Sequence, residues 1–203
     1  APAAPLQAVF TDPNNNLWIW KDGAPAQQLD SSGEVEFGIL SDDGSQVAYL
    51  RTPDYLRYSL WIINADGSDQ RQLLSHEQLM ALLSEPGHES LSPDSLSYTV
   101  GNLPYGLQWI PGQAMLSFTS SPRFEGPGLE IVGDIYQLHP ATGARLMVFE
   151  PARGGLPSYS PDGTLVAIVT PTSISLANAA GGSYHANLLT YPSVITYSEY
   201  MYY

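Results

Sequence analysis

The chain has 203 residues, of which 43% are hydrophobic, and its 20 acidic and 7 basic side chains give a net charge of −13. This length can bury a substantial core, whereas the negative charge would repel nucleic acid and anionic membrane surfaces. The chain has no cysteine, which excludes disulfides, thiolate metal sites and a cysteine nucleophile. No apolar run approaches the ~18 residues of a membrane-spanning helix.

The first 30 residues predict a linker followed by a small sheet. Ala1–Pro5 consists of alanine and proline, a composition typical of a linker. Asn14-Asn15 and Asp22-Gly23 are turn signals, because Asn, Asp and Gly tolerate the backbone of tight turns. The predicted strands are Leu6–Thr11, Asn16–Trp20 and Gln27–Leu29.

Residues 34–74 predict a four-stranded antiparallel meander. Three breaks, which contain Asp-Asp-Gly, Thr-Pro-Asp and Ala-Asp-Gly, separate four β-rich runs. In such breaks Gly supplies a positive φ, Asp bonds its own backbone and Pro fixes φ. The predicted strands are Val35–Leu40, Gln46–Arg51, Tyr58–Asn64 and Gln70–Leu74. Runs that are apolar throughout, such as Leu60–Ile63, are typical of strands covered on both faces.

Residues 75–104 predict an insertion that begins with a short helix. Ser75–Ser84 places leucines at helical spacing, with Ser75 as a candidate N-cap and Gln78 three residues later. We expect this segment to be the only helix of two turns or more, with its three leucines buried. The leucines are Leu79, Leu82 and Leu83. The remainder, Glu85–Pro104, is polar and predicts a loop, in which Ser97–Val100 could form a strand.

The second half of the chain predicts two further sheets and the start of another. Residues 105–150 form the first, with a wide break rich in Gly and Pro at Ser120–Glu130. Residues 154–190 form the second and most compact one. Residues 191–203 contain the strand-like run Val194–Tyr197, which predicts the first strand of another sheet.

A turn motif repeats along the chain. Ser41–Ser45 reads Ser-Asp-Asp-Gly-Ser and Ser160–Thr164 reads Ser-Pro-Asp-Gly-Thr, while Trp109–Gly112 is a degraded copy. We expect Gly44 and Gly163 to occupy equivalent turn positions with positive φ. A strand follows each copy, at Gln46–Arg51, Gln113–Thr119 and Leu165–Thr170, and a third-strand equivalent follows at Leu60–Ile63, Ile131–Leu138 and Ile174–Leu176. Four strands every ~40–50 residues are the signature of propeller blades.

The best copy, Tyr159–Gly163, reads aromatic-Ser-Pro-Asp-Gly before an apolar strand. This pattern resembles the TolB-type, WD40-like (PD40) propeller repeat, which is also similar to that in propeller domains of prolyl-oligopeptidase-like peptidases. The resemblance implies an all-β fold, a β-propeller of four-stranded antiparallel blades. At ~45 residues per blade, the chain would hold about four to five blades of an incomplete six- to eight-bladed ring.

The domain organisation follows from this assignment. Residues 6–203 form one propeller domain after the linker, and the blade of residues 6–30 lacks its innermost strand. Either a strand from residues 191–203 completes that blade in a strained four-bladed ring, or sequence beyond Tyr203 completes a larger ring. The predicted blades are 6–30, 34–74, 105–150, 154–190 and the start of another at 191–203, with the insertion at 75–104.

No motif of catalysis stands out. The chain lacks a Gly-x-Ser-x-Gly elbow, a His-Glu-x-x-His pair and a phosphate-cradling glycine loop. The four histidines are scattered, and we expect His76 and His139 to be surface residues. Asp42-Asp43 and Asp162 are explained by their turns. We predict no catalytic, cofactor-binding or metal-binding residues and no cofactor, with Glu34 and Glu36, in an innermost strand near the channel mouth, as the one weak indication of a site.

The sequence therefore predicts a non-enzymatic binding or scaffold module. Its extracytoplasmic location, whether periplasmic, cell-surface or secreted in a bacterium, is implied by the resemblance. The expected partner is a protein or peptide, and open propeller ends would also permit a dimer. The excess of acidic residues is explained by solubility, with a basic partner as the alternative. The alternatives are an accessory propeller of a prolyl-oligopeptidase-like serine peptidase and, third, a propeller enzyme that holds a metal in its channel.

Overall fold

A computed structural model describes residues 6–88, 97–124, 132–151 and 153–191. The chain divides into two compact units, Ala1–Ser75 and His76–Tyr203, here called unit 1 and unit 2. The predicted linker Ala1–Pro5 and the strand-like Val194–Tyr197 lie outside the described residues.

Unit 1 consists of two antiparallel sheets whose strands follow chain order. The first has three strands and the second has four. The first contains β1 (Gln7–Thr11), β2 (Leu17–Lys21) and β3 (Gln27–Asp30). The second contains β4 (Val35–Leu40), β5 (Gln46–Arg51), β6 (Ser59–Asn64) and β7 (Arg71–Leu74). These strands lie where the sequence predicts them, to within one residue.

The core of unit 1 lies between its two sheets. The buried side chains that meet there include Leu17 and Ile19 from β2 and Val47, Tyr49 and Ile63 from the second sheet. The central four residues of β5 are all buried, as expected for a strand whose two faces are both covered. This explains why β5 and β6 carry apolar runs without alternation.

The two sheets of unit 1 share one irregularity, which identifies equivalent strands. In the β2–β3 pair the register shifts between Leu17 and Trp18. In the β6–β7 pair it shifts between Leu60 and Trp61, and both sites read Leu-Trp-Ile. Because a β-bulge is a specific backbone feature, the match assigns β2 and β3 to the third and fourth strands of a blade. The first sheet contains no first strand among the described residues, and the prediction that this blade lacks its innermost strand stays a prediction.

Unit 2 consists of a helix and two four-stranded antiparallel sheets, again in chain order. The helix is α1 (His76–Leu82). The first sheet contains β8 (Thr99–Trp109), β9 (Leu116–Phe124), β10 (Ile135–Leu138) and β11 (Arg145–Phe149). The second contains β12 (Leu156–Tyr159), β13 (Leu165–Val169), β14 (Ser173–Asn178) and β15 (Tyr184–Thr190). Ile135, Phe149, Val166 and Ile168 form a core cluster of this unit.

The predicted helix is confirmed, and its three predicted leucines are buried, with at most 2% of any of them exposed. The amide of Asn102, on β8, donates a hydrogen bond of 2.8 Å to the carbonyl of Leu79. This bond ties the helix to the sheet. Ser97 also has helical backbone beside the undescribed residues 89–96, so the prediction of a single helix stays a prediction.

Two predicted loop boundaries in unit 2 are wrong. Thr99–Pro104 belongs to β8, so the loop part of the insertion ends before Thr99 and not at Pro104. Pro104 is tolerated there because β8 is an edge strand, where a missing N–H leaves no partner unpaired. Gly106, with φ 63°, lies in a register shift between Tyr105 and Gln108, which is a bulge rather than the end of a strand.

The second wrong boundary is the break placed at Ser120–Glu130, since β9 continues to Phe124. The break was predicted from its Gly and Pro content, but Ser120 and Ser121 within it are fully buried. The backbone N–H of Ser120 donates to Asp134 at 2.6 Å, and that of Ser121 donates to Asn102 at 2.9 Å. Small polar residues fit a buried strand when a side chain from elsewhere satisfies the backbone.

The repeated turn motif has the predicted conformation. Gly44 lies between β4 and β5 with φ 68°, and Gly163 lies between β12 and β13 with φ 67°. Gly112, between β8 and β9, also has φ 68°. In the two better copies the Asp carboxylate accepts hydrogen bonds from residues on both sides: Asp43 from Ser41 and Ser45, and Asp162 from Ser160 and Thr164. The two glycines are therefore equivalent turn residues of two blades.

Candidate functional site

The most buried ionisable pair of unit 2 joins His88 to Asp134. His88 follows α1 and Asp134 directly precedes β10, and their side chains are 1% and 0% exposed. His88 Nε2 lies 2.8 Å from Asp134 Oδ2. The other oxygen of Asp134 accepts hydrogen bonds from the Thr119 hydroxyl at 2.9 Å and the Ser120 N–H at 2.6 Å. This cluster fixes the segment after α1 to the sheet.

Both ring nitrogens of His88 are occupied. Nδ1 lies 3.2 Å from the carbonyl oxygen of Glu85, which can only accept, so Nδ1 carries a proton. The hydrogen bond with Asp134 raises the pKa of His88 above its usual value, and burial of the ring opposes that shift. The protonated ring can donate from both nitrogens. His88 therefore acts as a structural link whose protonated form is favoured, and neither of its ring nitrogens is free to serve as a general base.

A second layer of polar groups surrounds this pair. Glu85 accepts a hydrogen bond of 2.9 Å from the hydroxyl of Tyr136 and pairs with Arg145. The ring of Tyr136 stacks at 6.5 Å on that of His88. Burial, followed by the hydrogen bond to Glu85, raises the pKa of the Tyr136 hydroxyl, so this hydroxyl stays protonated. The layer shields His88 from solvent.

Unit 1 contains a corresponding cluster around Asp30, at the end of β3. One carboxylate oxygen accepts from the Tyr49 hydroxyl at 3.0 Å, from Arg51 Nε at 3.0 Å and from Gln70 at 2.8 Å. The other oxygen accepts from the Ser32 N–H at 2.7 Å. Burial by itself would raise the pKa of Asp30, but hydrogen bonds from Ser32 and Arg51 outweigh it and lower the pKa. The cluster links the first sheet of unit 1 to the second.

Arg51 is held from a second direction as well. Its guanidinium lies 4.1 Å from the ring centre of Trp61 on β6, a cation–π contact. With Asp30 on one side and an aromatic face on the other, Arg51 is fixed in the interior of unit 1. Tyr49, Arg51 and Asp30 consequently form a structural link between sheets.

The residues considered from sequence as candidate ligands are dispersed. His76 and His139 are half-buried and His185 is exposed. Glu34 directly precedes β4 and is half-buried, while Glu36 lies on β4 and is exposed. Among the described residues no three His, Asp or Glu side chains lie close enough together to hold a metal ion.

The two buried carboxylates were missed by sequence reasoning. Asp134 directly precedes the apolar run Ile135-Tyr136, and Asp30 follows Leu29 at the end of a strand. A lone acid beside an apolar residue at a strand boundary was a usable signal, because an acid that is buried there must find partners. The sequence does not say which partners, since Arg51 and His88 are far from these acids in the chain.

The most exposed aromatic side chain in the described part of unit 1 lies on a loop between β5 and β6. This loop, residues 52–58, is here called the Tyr55 loop. The Tyr55 side chain is 68% exposed, and its backbone has φ 60°, an outlier for a bulky residue. Leu56 beside it is 39% exposed. The loop thus presents apolar groups to solvent on an unusual backbone.

Comparison with solved structures identifies the fold. TolB from Acinetobacter baumannii matches with a TM-score of 0.53 and 16% identity, over 87% of this chain and 39% of TolB. Oligogalacturonate lyase from Vibrio parahaemolyticus matches with a TM-score of 0.53 and 17% identity, over 84% of this chain and 41% of the lyase. This chain has the TolB-like β-propeller fold. The predicted all-β propeller class and the TolB-like resemblance are confirmed as statements about fold.

A peptidase shares the TolB-like fold as well. The acylaminoacyl peptidase of Pyrococcus horikoshii matches with a TM-score of 0.54 and 11% identity, over 92% of this chain and 30% of the peptidase. The chain thus spans less than half the length of each of these three proteins. The sequence matches no family profile and no curated protein. Within the described residues no helix is long and apolar enough to cross a membrane.

Proposed function

We propose that this TolB-like propeller module is non-catalytic and binds a protein or peptide. The observation that carries the proposal is the state of its buried ionisable groups. Asp134, His88, Asp30 and Arg51 are hydrogen-bonded to one another, to backbone groups or to neighbouring polar side chains. Groups engaged in this way stabilise a scaffold, whereas the Tyr55 loop offers exposed apolar surface of the kind used in recognition.

The net charge of −13 indicates which charge a partner would carry. A basic protein or peptide would be attracted to the module and a polyanion repelled.

We further propose that the module works outside the cytoplasm of a bacterium. This location rests on the resemblance to TolB-type repeats. Fractionation of cells that express the tagged full-length gene tests it, and a tag found only in the cytoplasm contradicts it.

A random peptide library displayed on phage tests the binding function. The folded chain is expected to enrich a set of related peptides that the urea-unfolded chain does not enrich. Failure to enrich any peptide contradicts the binding function. Incubation of the enriched peptides with the chain, followed by mass spectrometry, tests the non-catalytic part, and cleavage of a peptide contradicts it.

The match to acylaminoacyl peptidase favours a second candidate, an accessory propeller of a prolyl-oligopeptidase-like peptidase. In this case the module would restrict access to a catalytic domain elsewhere in the same protein. The reading frame of the parent gene beyond Tyr203 separates the two candidates. A hydrolase domain with a Gly-x-Ser-x-Gly elbow supports the accessory role, and its absence supports the independent module.

Self-association is a further property that we propose for this module. Among the described residues the first sheet of unit 1 has three strands, and none of them pairs with β1 on its outer edge; a strand from a second copy could pair there. Sedimentation velocity over a range of concentrations tests this. A dimer that weakens on dilution supports it, and a concentration-independent monomer contradicts it.

A further inference from the structure

The Tyr55 loop combines exposure with a fixed backbone. The Asp54 carboxylate accepts hydrogen bonds from the N–H groups of Leu56 at 3.2 Å and Arg57 at 2.9 Å, and from Arg57 Nε at 2.7 Å. On the other side, the hydroxyl of the buried Tyr58 donates to the carbonyl of Tyr55 at 2.9 Å. The tip is therefore held from both flanks, and little conformational entropy is left to lose on binding.

A tyrosine at the tip of this loop lowers the stability of the fold. A left-handed backbone favours Gly, Asn or Asp, and a bulky side chain there is strained. Tyr55 is nonetheless present with φ 60°, and 68% of it faces solvent. Its ring therefore contributes little to the core. Tyrosine is among the residues that carry most of the binding energy at protein interfaces.

The charges beside the loop indicate which partner fits. The N–H of Thr52 donates to the carbonyl of Glu34 at 2.8 Å, and that of Val35 donates to the carbonyl of Asn15 at 2.9 Å. The Tyr55 loop, the residue preceding β4 and the β1–β2 turn thus lie at one end of unit 1. Two carboxylates at this end, Glu34 and Asp12, form no ion pair with any described residue.

One of these two carboxylates is fixed in its charged form. Asp12 accepts hydrogen bonds from the N–H groups of Asn14 and Asn16 and from the indole of Trp18 at 3.0 Å. Donors of this kind stabilise a carboxylate over a carboxylic acid. The end of unit 1 therefore presents a neutral aromatic tip beside fixed negative charge.

We propose that the Tyr55 loop is the recognition element of this module and that it takes a basic polypeptide segment. A Lys or Arg of that segment stacks on the Tyr55 ring, as cations do on exposed aromatic faces, while Leu56 packs on the aliphatic part of the segment. Glu34 and Asp12 attract its remaining positive charge. This inference rests on the proposed binding function and assigns a place and a partner chemistry to it.

The test uses the peptides enriched by the whole chain and two matched variants. Tyr55→Asn removes the ring and retains a residue that tolerates the left-handed backbone. Tyr98→Asn removes another exposed tyrosine, which lies in unit 2 and is 65% exposed. Circular dichroism checks that both variants fold. Affinities are measured by fluorescence anisotropy with the synthetic peptides, at low and at high salt.

The expected result is a set of Lys- and Arg-rich peptides that bind Tyr55→Asn at least about tenfold more weakly than the unaltered chain. The same peptides should bind Tyr98→Asn unchanged and weaken with salt. Peptides that bind both variants equally overturn this inference and leave the binding function standing. Tyr55-dependent peptides without basic residues overturn the partner chemistry. Failure to enrich any peptide overturns the inference together with the binding function.

Discussion

Each unit contains a buried carboxylate that is paired with a basic side chain, and the type of basic side chain differs between the units. In unit 1 an acid, Asp30, is balanced by an arginine, which stays charged at every accessible pH. In unit 2 the acid is Asp134 and its partner is His88, a side chain that can lose its charge and whose pKa is raised by the hydrogen bond with Asp134. Both clusters fasten a sheet to a neighbouring element and both are buried. Because of this difference, we expect the stabilisation by the two pairs to depend differently on pH.

Neutralising the acid in unit 1 should have the largest effect. Asp30→Asn leaves Arg51, only 17% exposed, without its counter-charge and takes an acceptor from Tyr49 and Gln70. Removal of one partner from a buried pair costs about 3–5 kcal/mol, and we expect about 3 kcal/mol because Arg51 keeps some solvent. Urea unfolding, followed by tryptophan fluorescence, measures the change in the free energy of unfolding.

The matched control for Asp30→Asn is Asp69→Asn. Asp69 pairs with Arg71 at the surface, where the two side chains are 59% and 33% exposed. Such a pair contributes about 0.2–1 kcal/mol. Equal losses from the two substitutions would show that the Asp30 cluster is not a buried link.

The turn glycines extend the comparison between units. An added Cβ at Gly163 would lie 2.1 Å from the carbonyl oxygen of Pro111, a backbone atom, whereas one at Gly44 would lie 2.9 Å from the side chain of Gln7. A flexible side chain can move away more easily than the backbone carbonyl of Pro111, which belongs to the β8–β9 turn. We expect Gly163→Ala to cost about 2–3 kcal/mol and Gly44→Ala about 1 kcal/mol. Thermal unfolding of the two variants measures the difference, and a neutral Gly163→Ala contradicts this account of the turn.

The histidine link in unit 2 predicts a pH dependence that the arginine link lacks. The pKa of His88 is raised in the folded state, so its stabilisation is complete below the usual value of about 6.5. The stabilisation is lost as the pH rises through the higher folded value. His88→Gln keeps a donor but cannot titrate, and we expect it to cost about 1.5 kcal/mol below pH ~6.

The measurement for His88 is urea unfolding of the unaltered chain and of His88→Gln across the pH range from mildly acidic to mildly alkaline. The difference between the two free energies of unfolding should shrink as the pH rises. Other titrating groups cancel in this difference because both proteins carry them. A difference that stays constant with pH would mean that the protonation of His88 does not support the fold.

The repeated elements of both units were predictable, and their polar links were not. Turn chemistry at Gly44 and Gly163 and the apolar runs of β5 and β6 are local signals, so strands and turns followed from the sequence. The predicted loop boundary at Pro104 was wrong because a proline at an edge strand does not end the strand as it would in a central one. Asp30 with Arg51 and His88 with Asp134 meet only after folding, and no local pattern specifies such pairs.

The connection between second and third strands differs between the units and gives the smallest predicted effect. In unit 2 the β13–β14 turn is short, and Thr170 closes it with a hydrogen bond of 3.0 Å from the Ser173 N–H. In unit 1 the corresponding Tyr55 loop carries a strained, exposed tyrosine.

If that tyrosine is kept for recognition, its removal should stabilise the fold. We expect Tyr55→Gly to raise the free energy of unfolding by about 0.5–1 kcal/mol, because relief from the left-handed strain exceeds the entropy that glycine adds to the unfolded chain. Thermal unfolding measures this gain, with Tyr98→Gly as the control that should show none. A loss of stability in Tyr55→Gly would mean that the Tyr55 ring stabilises the fold. The presence of tyrosine at this position would then need no binding role to explain it.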